Sequence, residues 1–162
     1  MMTGSLNWEA FITDATDDER ALRRAAFHAL LSGEAVDQGH LASATGFAPD
    51  KVGSLLGQLT NRGLIVVEPD SGHVVGSCGL SSSPTDHRLD IRGRQLFTWC
   101  AEDAVGIPAA LREDARVLSH CRHCGGSVTI DMAGGDVARA EPPQTCLWVT
   151  PLEVGRSVVG FT

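Results

Sequence analysis

The sequence predicts an α+β fold, because helical and extended patterns occupy different stretches of the chain. Apolar residues recur at helical spacing between residues 17 and 61. Short apolar runs separated by turn residues follow these helices and return beyond residue 115. We therefore predict a winged-helix-like domain of three helices over residues 1–83, and a domain with helices and a small, mainly antiparallel sheet over residues 84–162. The Ser- and Gly-rich residues 77–86 are the expected linker.

Composition indicates the class of protein to expect. The 162 residues are 43% apolar and include five Phe, three Trp and no Tyr, which predicts a mainly aliphatic core. A net charge of -7 disfavours nonspecific attraction to nucleic acid or to an anionic membrane. No secretory signal or membrane span is apparent, so we expect a cytoplasmic protein. There, the five cysteines are expected to be free thiols or metal ligands rather than disulfides.

Each element of the first half has a local signal. Asp17 is the expected N-cap of the first helix, and Gly33 its stop. The predicted elements are helices over residues 17–32, 38–45 and 49–61, and strands over residues 64–67 and 73–75. A Pro-Asp-Ser-Gly turn separates the two strands.

Three helices followed by a hairpin suggest DNA binding, but the charge distribution disfavours it. Residues 1–83 carry ten acidic and five basic side chains. The third helix, which would enter the major groove, offers only Lys51 and Arg62 as cations. Because a DNA-binding domain normally presents a basic face, we do not expect a nucleic-acid partner.

The second half is predicted to begin with a helix and continue as strands. Helical spacing over residues 92–105 places Leu96, Cys100 and Ala104 on one side. Ile107-Pro108 is expected to end this helix. A further helical turn is predicted at residues 109–111, and short strands at residues 115–119, 127–131 and 147–149.

The pair Cys100 and Asp103 is the first candidate site. On a helix, a spacing of three residues places the thiol and the carboxyl group on one face. A thiolate binds soft metals and attacks electrophiles, and a desolvated carboxyl group near Trp99 can carry a proton. The alternative is a buried cysteine that packs as a small hydrophobe beside a solvated aspartate. The residues alone leave both interpretations open.

The second candidate site is the sequence Cys-Arg-His-Cys-Gly-Gly at residues 121–126. Such a turn has the form of a zinc knuckle, in which Cys121 and Cys124 would be ligands. A structural zinc site needs four ligands, and the chain has no second CxxC. The set would have to be completed by other residues: Cys100, His120, His123 or Cys146. For Cys78 and Cys146 we expect ordinary packing, and His28, His40, His73 and His87 show no ligand spacing.

Residues 96–121, LFTWCAEDAVGIPAALREDARVLSHC, resemble the alkylmercury (organomercurial) lyase family. The family pattern is an aromatic-Trp-Cys start, an Asp three residues on, a Pro-Ala pair and a strand that ends in Ser-His-Cys. The matching residues are Cys100, Asp103, Pro108-Ala109, Ala115-Arg116-Val117, Ser119 and Cys121. The first half also fits, because the family carries a winged-helix-like domain that does not read DNA.

The resemblance implies an enzyme that breaks carbon–mercury bonds and contributes to mercury resistance. Cys100 would be the thiol that captures mercury, and Asp103 would carry the proton to the leaving carbon. No cofactor is implied, since mercury enters with a small organometallic substrate and remains as product. The implied partners are this substrate and a reductase or thiol that receives the mercury. No membrane partner is implied.

This chain also departs from the family pattern. If Pro151 is aligned on the family's proline, Phe161 falls on its phenylalanine and Thr162 on its second catalytic cysteine. Cys124 and Cys146 are additions to the pattern. We therefore expect an alkylmercury lyase-type enzyme with reduced activity. The alternative is a non-catalytic metal-binding protein that holds zinc or mercury through Cys121, Cys124 and one or two other ligands, with Cys100 among the candidates. A metal-responsive DNA regulator is a third, disfavoured hypothesis.

Overall fold

The computed structural model describes residues 15–147. They form a mixed helical and antiparallel fold, which confirms the predicted α+β class. The helices are α1 (Asp17–Ser32), α2 (Gln38–Thr45), α3 (Pro49–Asn61) and α4 (Ala101–Leu111). The strands are β1 (Ile65–Val67), β2 (Val74–Ser77), β3 (Leu80–Ser81), β4 (His87–Ile91), β5 (Arg94–Thr98), β6 (Ala115–His120), β7 (Ser127–Ala133) and β8 (Asp136–Glu141).

All eight strands belong to one sheet, in the order β1-β2-β3-β5-β4-β6-β7-β8. Every neighbouring pair is antiparallel. Because β4 lies between β5 and β6 and runs against both, β5 and β6 run parallel to each other. The residues that follow β5 and β6 therefore emerge at the same end of the sheet.

No helix within residues 15–147 is both long enough and apolar enough to cross a bilayer.

The first three helices and the β1–β2 hairpin follow the predicted order. Helix α1 spans the predicted residues, but its N-cap is Thr16 rather than the expected Asp17, and Thr16 forms a capping box with Glu19. The Glu19 carboxylate is 4% exposed and lies 2.7 Å from Arg62 at the end of α3. Backbone and arginine hydrogen bonds lower its pKa, so the buried charge is compensated.

The predicted linker at residues 77–86 is wrong, because this stretch contains strand β3 and a tight turn of the sheet. Ser77 and Leu80 are fully buried, and the Ser77 hydroxyl donates to the Arg23 carbonyl oxygen at 3.0 Å. The polar composition of residues 77–86 therefore reflects hydrogen bonds to buried backbone groups rather than exposure to solvent. The sheet crosses the predicted domain boundary at residue 83, and the division into two domains stays a prediction.

The helix predicted over residues 92–105 is wrong in its first part. Strand β5 occupies Arg94–Thr98, and α4 begins only at Ala101, with Cys100 as its N-cap. The spacing of Leu96 and Cys100 suits both a helix and an alternating strand that leads into a helix. Pro108 lies inside α4 and does not end it, contrary to expectation.

Strands β6 and β7 are each longer than predicted. Strand β8 was not predicted. Strand β8 carries mostly exposed residues, so it lacks the apolar alternation that a sequence pattern detects. Of the strand predicted at residues 147–149, only the exposed Leu147 lies within the described residues. The apolar residues Trp8, Phe11 and Ile12, through which the N-terminal segment is expected to dock, lie outside the described residues.

Candidate active site

Cys100 and Asp103 are brought into contact by the first turn of α4. Cys100 has an extended backbone, with φ -147° and ψ 169°, and its Sγ accepts a hydrogen bond from the Asp103 backbone N–H at 3.4 Å. In return, the Cys100 thiol donates to Asp103 Oδ2 at 3.0 Å. The pair is therefore an N-cap and its third helical residue, a geometry that holds both side chains at the helix N-terminus.

Burial controls the protonation of this pair. It raises the pKa of the Cys100 thiol to about 12, and the negative charge of Asp103 adds to the effect, which outweighs the backbone N–H groups. Burial also raises the pKa of Asp103, against the opposing effect of the Cys100 hydrogen bonds. Both groups thus hold protons more tightly than usual, and the thiol proton lies in the S–H···O contact with Asp103.

The turn between β2 and β3 closes one side of the site. Trp99, 4% exposed, donates its backbone N–H to the Gly79 carbonyl oxygen at 2.8 Å. Gly79 has φ +82°, and a Cβ atom built on it would lie 2.9 Å from Asp103 Oδ2 and closer still to Oδ1 and Cγ. The Asp103 carboxyl group therefore packs directly on the Gly79 backbone. Sequence reasoning missed this contact, because the turn was assigned to a linker.

His87 at the start of β4 is a second residue that sequence reasoning missed. Its side chain is 5% exposed, and Nδ1 lies 2.7 Å from Ser119 Oγ on β6. Burial is the main cause that lowers the His87 pKa, and the Asp103 charge opposes it. The imidazole is thus a neutral, buried neighbour of the pair. The alternation of His87, Leu89 and Ile91 was the available signal, since all three are buried on one face of β4.

Cys121 and Cys124 lie in the turn between β6 and β7. The Cys121 N–H donates to the Gly126 carbonyl oxygen at 2.8 Å, and the Gly125 N–H to the Cys121 carbonyl oxygen at 2.7 Å. Backbone N–H groups of Cys124 and His123, followed by the Cys124 thiol, lower the pKa of Cys121. Cys121 is half-buried and Cys124 is exposed, so this thiol pair is open to solvent.

The structure keeps the two cysteine sites apart. Thr98 pairs with His87, and His87 contacts Ser119, so these three lie side by side across β5, β4 and β6. Cys100 and Cys121 each follow this row by two residues, at the same end of the sheet. The strands that lead to them, β5 and β6, lie two strand spacings apart, about 10 Å. Within residues 15–147, no three Cys, His, Asp or Glu side chains form a metal-binding group.

The remaining candidates are distributed as follows. Cys78 is half-buried in the β2–β3 turn, with Sγ 3.9 Å from the Arg23 carbonyl oxygen. Cys146 is exposed. Thr162, which aligns with the second family cysteine, lies outside the described residues, as do Pro151 and Phe161.

A family comparison agrees with this geometry. Residues 80–160 match the family model described as alkylmercury lyase, and they make up half of the chain. The chain belongs to the alkylmercury lyase family. The matched segment includes strand β3, which directly follows Gly79, the whole of α4 and the Cys121–Cys124 turn.

Individual alkylmercury lyases show the same relationship. The enzyme of Streptomyces lividans is 34% identical over 118 residues, which are 70% of this chain and 50% of that protein. The Pseudomonas putida enzyme is 34% identical over 103 residues, 59% of this chain and 48% of that protein. The crystal structure of the mercury-bound form of MerB2 has a TM-score of 0.81 and 29% identity, over 94% of this chain and 72% of that one. The chain spans about half the length of the curated relatives it matches.

Proposed function

We propose that this chain cleaves carbon–mercury bonds, with Cys100 as the capturing thiol and Asp103 as the proton carrier. The hydrogen bond from Cys100 Sγ to Asp103 Oδ2, at 3.0 Å, is the observation that carries the proposal. It directs the proton that the thiol must lose toward the carboxyl group that must later deliver one. Family membership supports the same assignment.

In the first step an organomercurial R–Hg–X meets the pair. The Cys100 sulfur forms a bond to mercury, the thiol proton passes to the ionised Asp103 carboxylate, and X⁻ leaves. The high thiol pKa, about 12, does not prevent this exchange, because mercury replaces the proton on a soft ligand that it prefers to oxygen or nitrogen.

In the second step the carbon–mercury bond breaks. The leaving carbon keeps the electron pair of that bond and takes the proton from Asp103, so hydrocarbon R–H departs and Asp103 returns to its carboxylate form. Mercury(II) stays on the Cys100 sulfur with one coordination position to fill. A further sulfur ligand that binds mercury before this step would add electron density and weaken the carbon–mercury bond.

The test is mass spectrometry of the protein after incubation with a simple organomercurial, together with measurement of released hydrocarbon. Wild-type protein should carry mercury without the organic group. Cys100→Ser should neither bind the organomercurial stably nor release hydrocarbon, because the soft sulfur ligand is lost at nearly constant side-chain volume. Cys146→Ser is the matched control, since that cysteine is exposed and outside the pair. Unchanged hydrocarbon release by Cys100→Ser would refute the proposal.

We infer a second function, soft-metal binding, for the Cys121–Cys124 turn. Its N–H donors favour a thiolate, and only two thiols are present there, without a third ligand group in the part of the chain that the structure describes. Two thiolates suit linear mercury(II) better than zinc, which takes four ligands. Its place at the same end of the sheet as Cys100 suits a site that receives mercury after cleavage.

Metal binding by the Cys121–Cys124 turn is tested with inorganic mercury(II) alone. Sulfur-to-mercury charge-transfer absorbance should titrate to one ion fewer in Cys121→Ser and in Cys124→Ser than in wild type, and Cys78→Ser serves as control. Hydrocarbon release should persist in both turn variants, while mercury should remain on Cys100 longer. Equal stoichiometry in all variants would contradict a site at the turn.

Three sequence expectations complete the proposal: a cytoplasmic location, a winged-helix-like first half that does not read DNA, and delivery of mercury to a reductase. The excess of acidic residues in residues 1–83 supports the second. A gel-shift measurement at physiological salt should show no binding of duplex DNA.

A further inference from the structure

Two hairpin turns in the sheet have the same build but different surroundings. Cys78-Gly79 joins the paired residues Ser77 and Leu80, and Arg92-Gly93 joins Ile91 and Arg94. Both turns have positive φ at both residues, +51° and +82° in the first and +53° and +71° in the second. This is the pattern of a type I′ turn, for which a glycine at the second position is favoured. Backbone conformation therefore explains a glycine equally well at both turns.

Only the first turn has a neighbour where a side chain would project. A Cβ atom on Gly93 would meet nothing within 4 Å. A Cβ atom on Gly79 would lie 2.9 Å from Asp103 Oδ2, and closer still to Oδ1 and Cγ. All three carboxyl atoms would then be closer than atoms in real structures approach a Cβ, so the group would have to move.

We propose that Gly79 is a positioning residue of the site, whose bare backbone gives the Asp103 carboxyl group the room to lie against the Cys100 thiol. The catalytic part of this inference rests on the proposed function, while the geometric part does not. The Gly79 backbone is itself held in place, because its carbonyl oxygen accepts a hydrogen bond from the Trp99 N–H at 2.8 Å. The turn is thus tied to the residue directly before Cys100.

The carboxyl group has few ways to yield to a larger residue. The Asp103 backbone is held in the first turn of α4 by its N–H···Sγ contact with Cys100. A methyl group at position 79 would therefore be accommodated by rotation of the Asp103 side chain, which breaks the 3.0 Å hydrogen bond to the thiol. The substitution at position 79 removes no catalytic group and changes only the position of the Asp103 carboxyl group.

The test compares Gly79→Ala with Gly93→Ala. Both place a methyl group at the second position of a turn with the same φ signs, so both should lower the melting temperature by a similar amount through backbone strain. Hydrocarbon release from an organomercurial should fall about 100-fold in Gly79→Ala, the usual scale for a misplaced acid–base group, and stay near wild type in Gly93→Ala. Equal rates in the two variants would overturn the proposal.

A second readout needs no organomercurial. The rate of Cys100 alkylation by iodoacetamide is followed against pH by peptide mass spectrometry in Gly79→Ala, Gly93→Ala, Asp103→Asn and wild type. The titratable side chains that shift the Cys100 pKa are Asp103 on α4 and, through its effect on Asp103, His87 on β4. Displacing the carboxylate should move the alkylation profile of Gly79→Ala about one pH unit lower, toward that of Asp103→Asn. A Gly79→Ala profile that coincides with wild type would show that the carboxyl group had not moved.

A double variant separates positioning from general damage. In the Asp103→Asn background, Gly79→Ala should add little further loss of hydrocarbon release, because the group it displaces no longer carries the proton. An additional 100-fold loss in that background would contradict an action through Asp103. If wild-type protein releases no hydrocarbon, the proposed function fails, and the alkylation profiles still decide the role of Gly79.

Discussion

Cys100 and Cys121 both receive hydrogen bonds from backbone N–H groups, yet their acidities are shifted in opposite directions. Cys100 caps a helix and contacts a carboxylate, and burial raises its pKa to about 12. Cys121 lies in an open turn, and its N–H donors lower its pKa. Backbone donors at a helix N-terminus are therefore not sufficient to produce a thiolate. Desolvation and one neighbouring carboxylate outweigh them.

The contrast suits different tasks. A thiol that stays protonated until its substrate arrives keeps a proton in the site, and that proton can be passed to Asp103 during capture. A thiol with a lowered pKa in an open turn gives up its proton more readily, so it is better suited to bind an ion that arrives from elsewhere. Each of the following changes would break or sharpen this difference.

Removing the carboxylate should have the largest effect. Asp103→Asn is expected to slow hydrocarbon release by about 10²-fold or more, because the amide cannot carry the thiol proton to carbon. Capture of the organomercurial should continue, so the R–Hg adduct on Cys100 should accumulate and be visible by mass spectrometry. Glu102→Gln, the neighbouring carboxylate on α4, is the control and should release hydrocarbon at nearly the wild-type rate. Rapid release by Asp103→Asn would leave Asp103 without a role.

The two cysteines of the unsubstituted protein should also differ in their reactivity when no substrate is present. The Cys100 pKa is about 12 against an ordinary 9.0, and that of Cys121 is lowered from 9.0. Because the Cys121 pKa lies below 9.0 and that of Cys100 is about 12, the thiolate fraction of Cys100 at pH 8 is smaller by about 10³-fold or more. Iodoacetamide should label Cys121 first, and labelling of Cys100 should still rise with pH above pH 10. Preferential labelling of Cys100 at pH 8 would reverse the assignment.

The chemistry of the Cys100 site was predictable from the sequence for reasons that only partly match the structure. A spacing of three residues indicated a shared helix face, and the structure places the pair at an N-cap and the third helical residue instead. Both arrangements bring the side chains together, so the prediction of a functional pair did not depend on where the helix begins. The strand at Arg94–Thr98 was mistaken for helix because Leu96 and Cys100 fit either period.

The surroundings of that pair were not predictable from local patterns. Gly79 reaches Asp103, and His87 reaches Ser119, through the pairing of strands that are distant in sequence. Register between such strands is set by the sheet as a whole, and neighbouring residues do not encode it. The three N-terminal helices, by contrast, carry caps, stops and apolar stripes within each segment, and their bounds were predicted closely.

A smaller effect is expected from the second thiol of the turn. The Cys124 side chain contributes less than the backbone N–H groups to the lowered pKa of Cys121. Cys124→Ala should therefore slow alkylation of Cys121 at pH 7 only a few-fold, since the pKa rises part of the way toward its ordinary value. Cys146→Ala, another exposed cysteine, is the control and should leave the rate unchanged. Complete loss of Cys121 reactivity in Cys124→Ala would mean that the thiol, and not the backbone, stabilises the thiolate.

The smallest effect is expected at Arg122, the cationic residue that directly follows Cys121 in the sequence. Its guanidinium group lies 3.4 Å from Asp86, and both side chains are about two-thirds exposed, at 63% and 67%. It is absent from the causes that lower the Cys121 pKa, which are backbone N–H groups and the Cys124 thiol. Arg122→Ala should change the free energy of unfolding by less than about 0.5 kcal/mol, as measured by denaturant titration, because exposed ion pairs contribute little. The alkylation rate of Cys121 at pH 7 should stay within about twofold of wild type. A tenfold drop would show that a side-chain cation, rather than the geometry of the turn, separates Cys121 from Cys100.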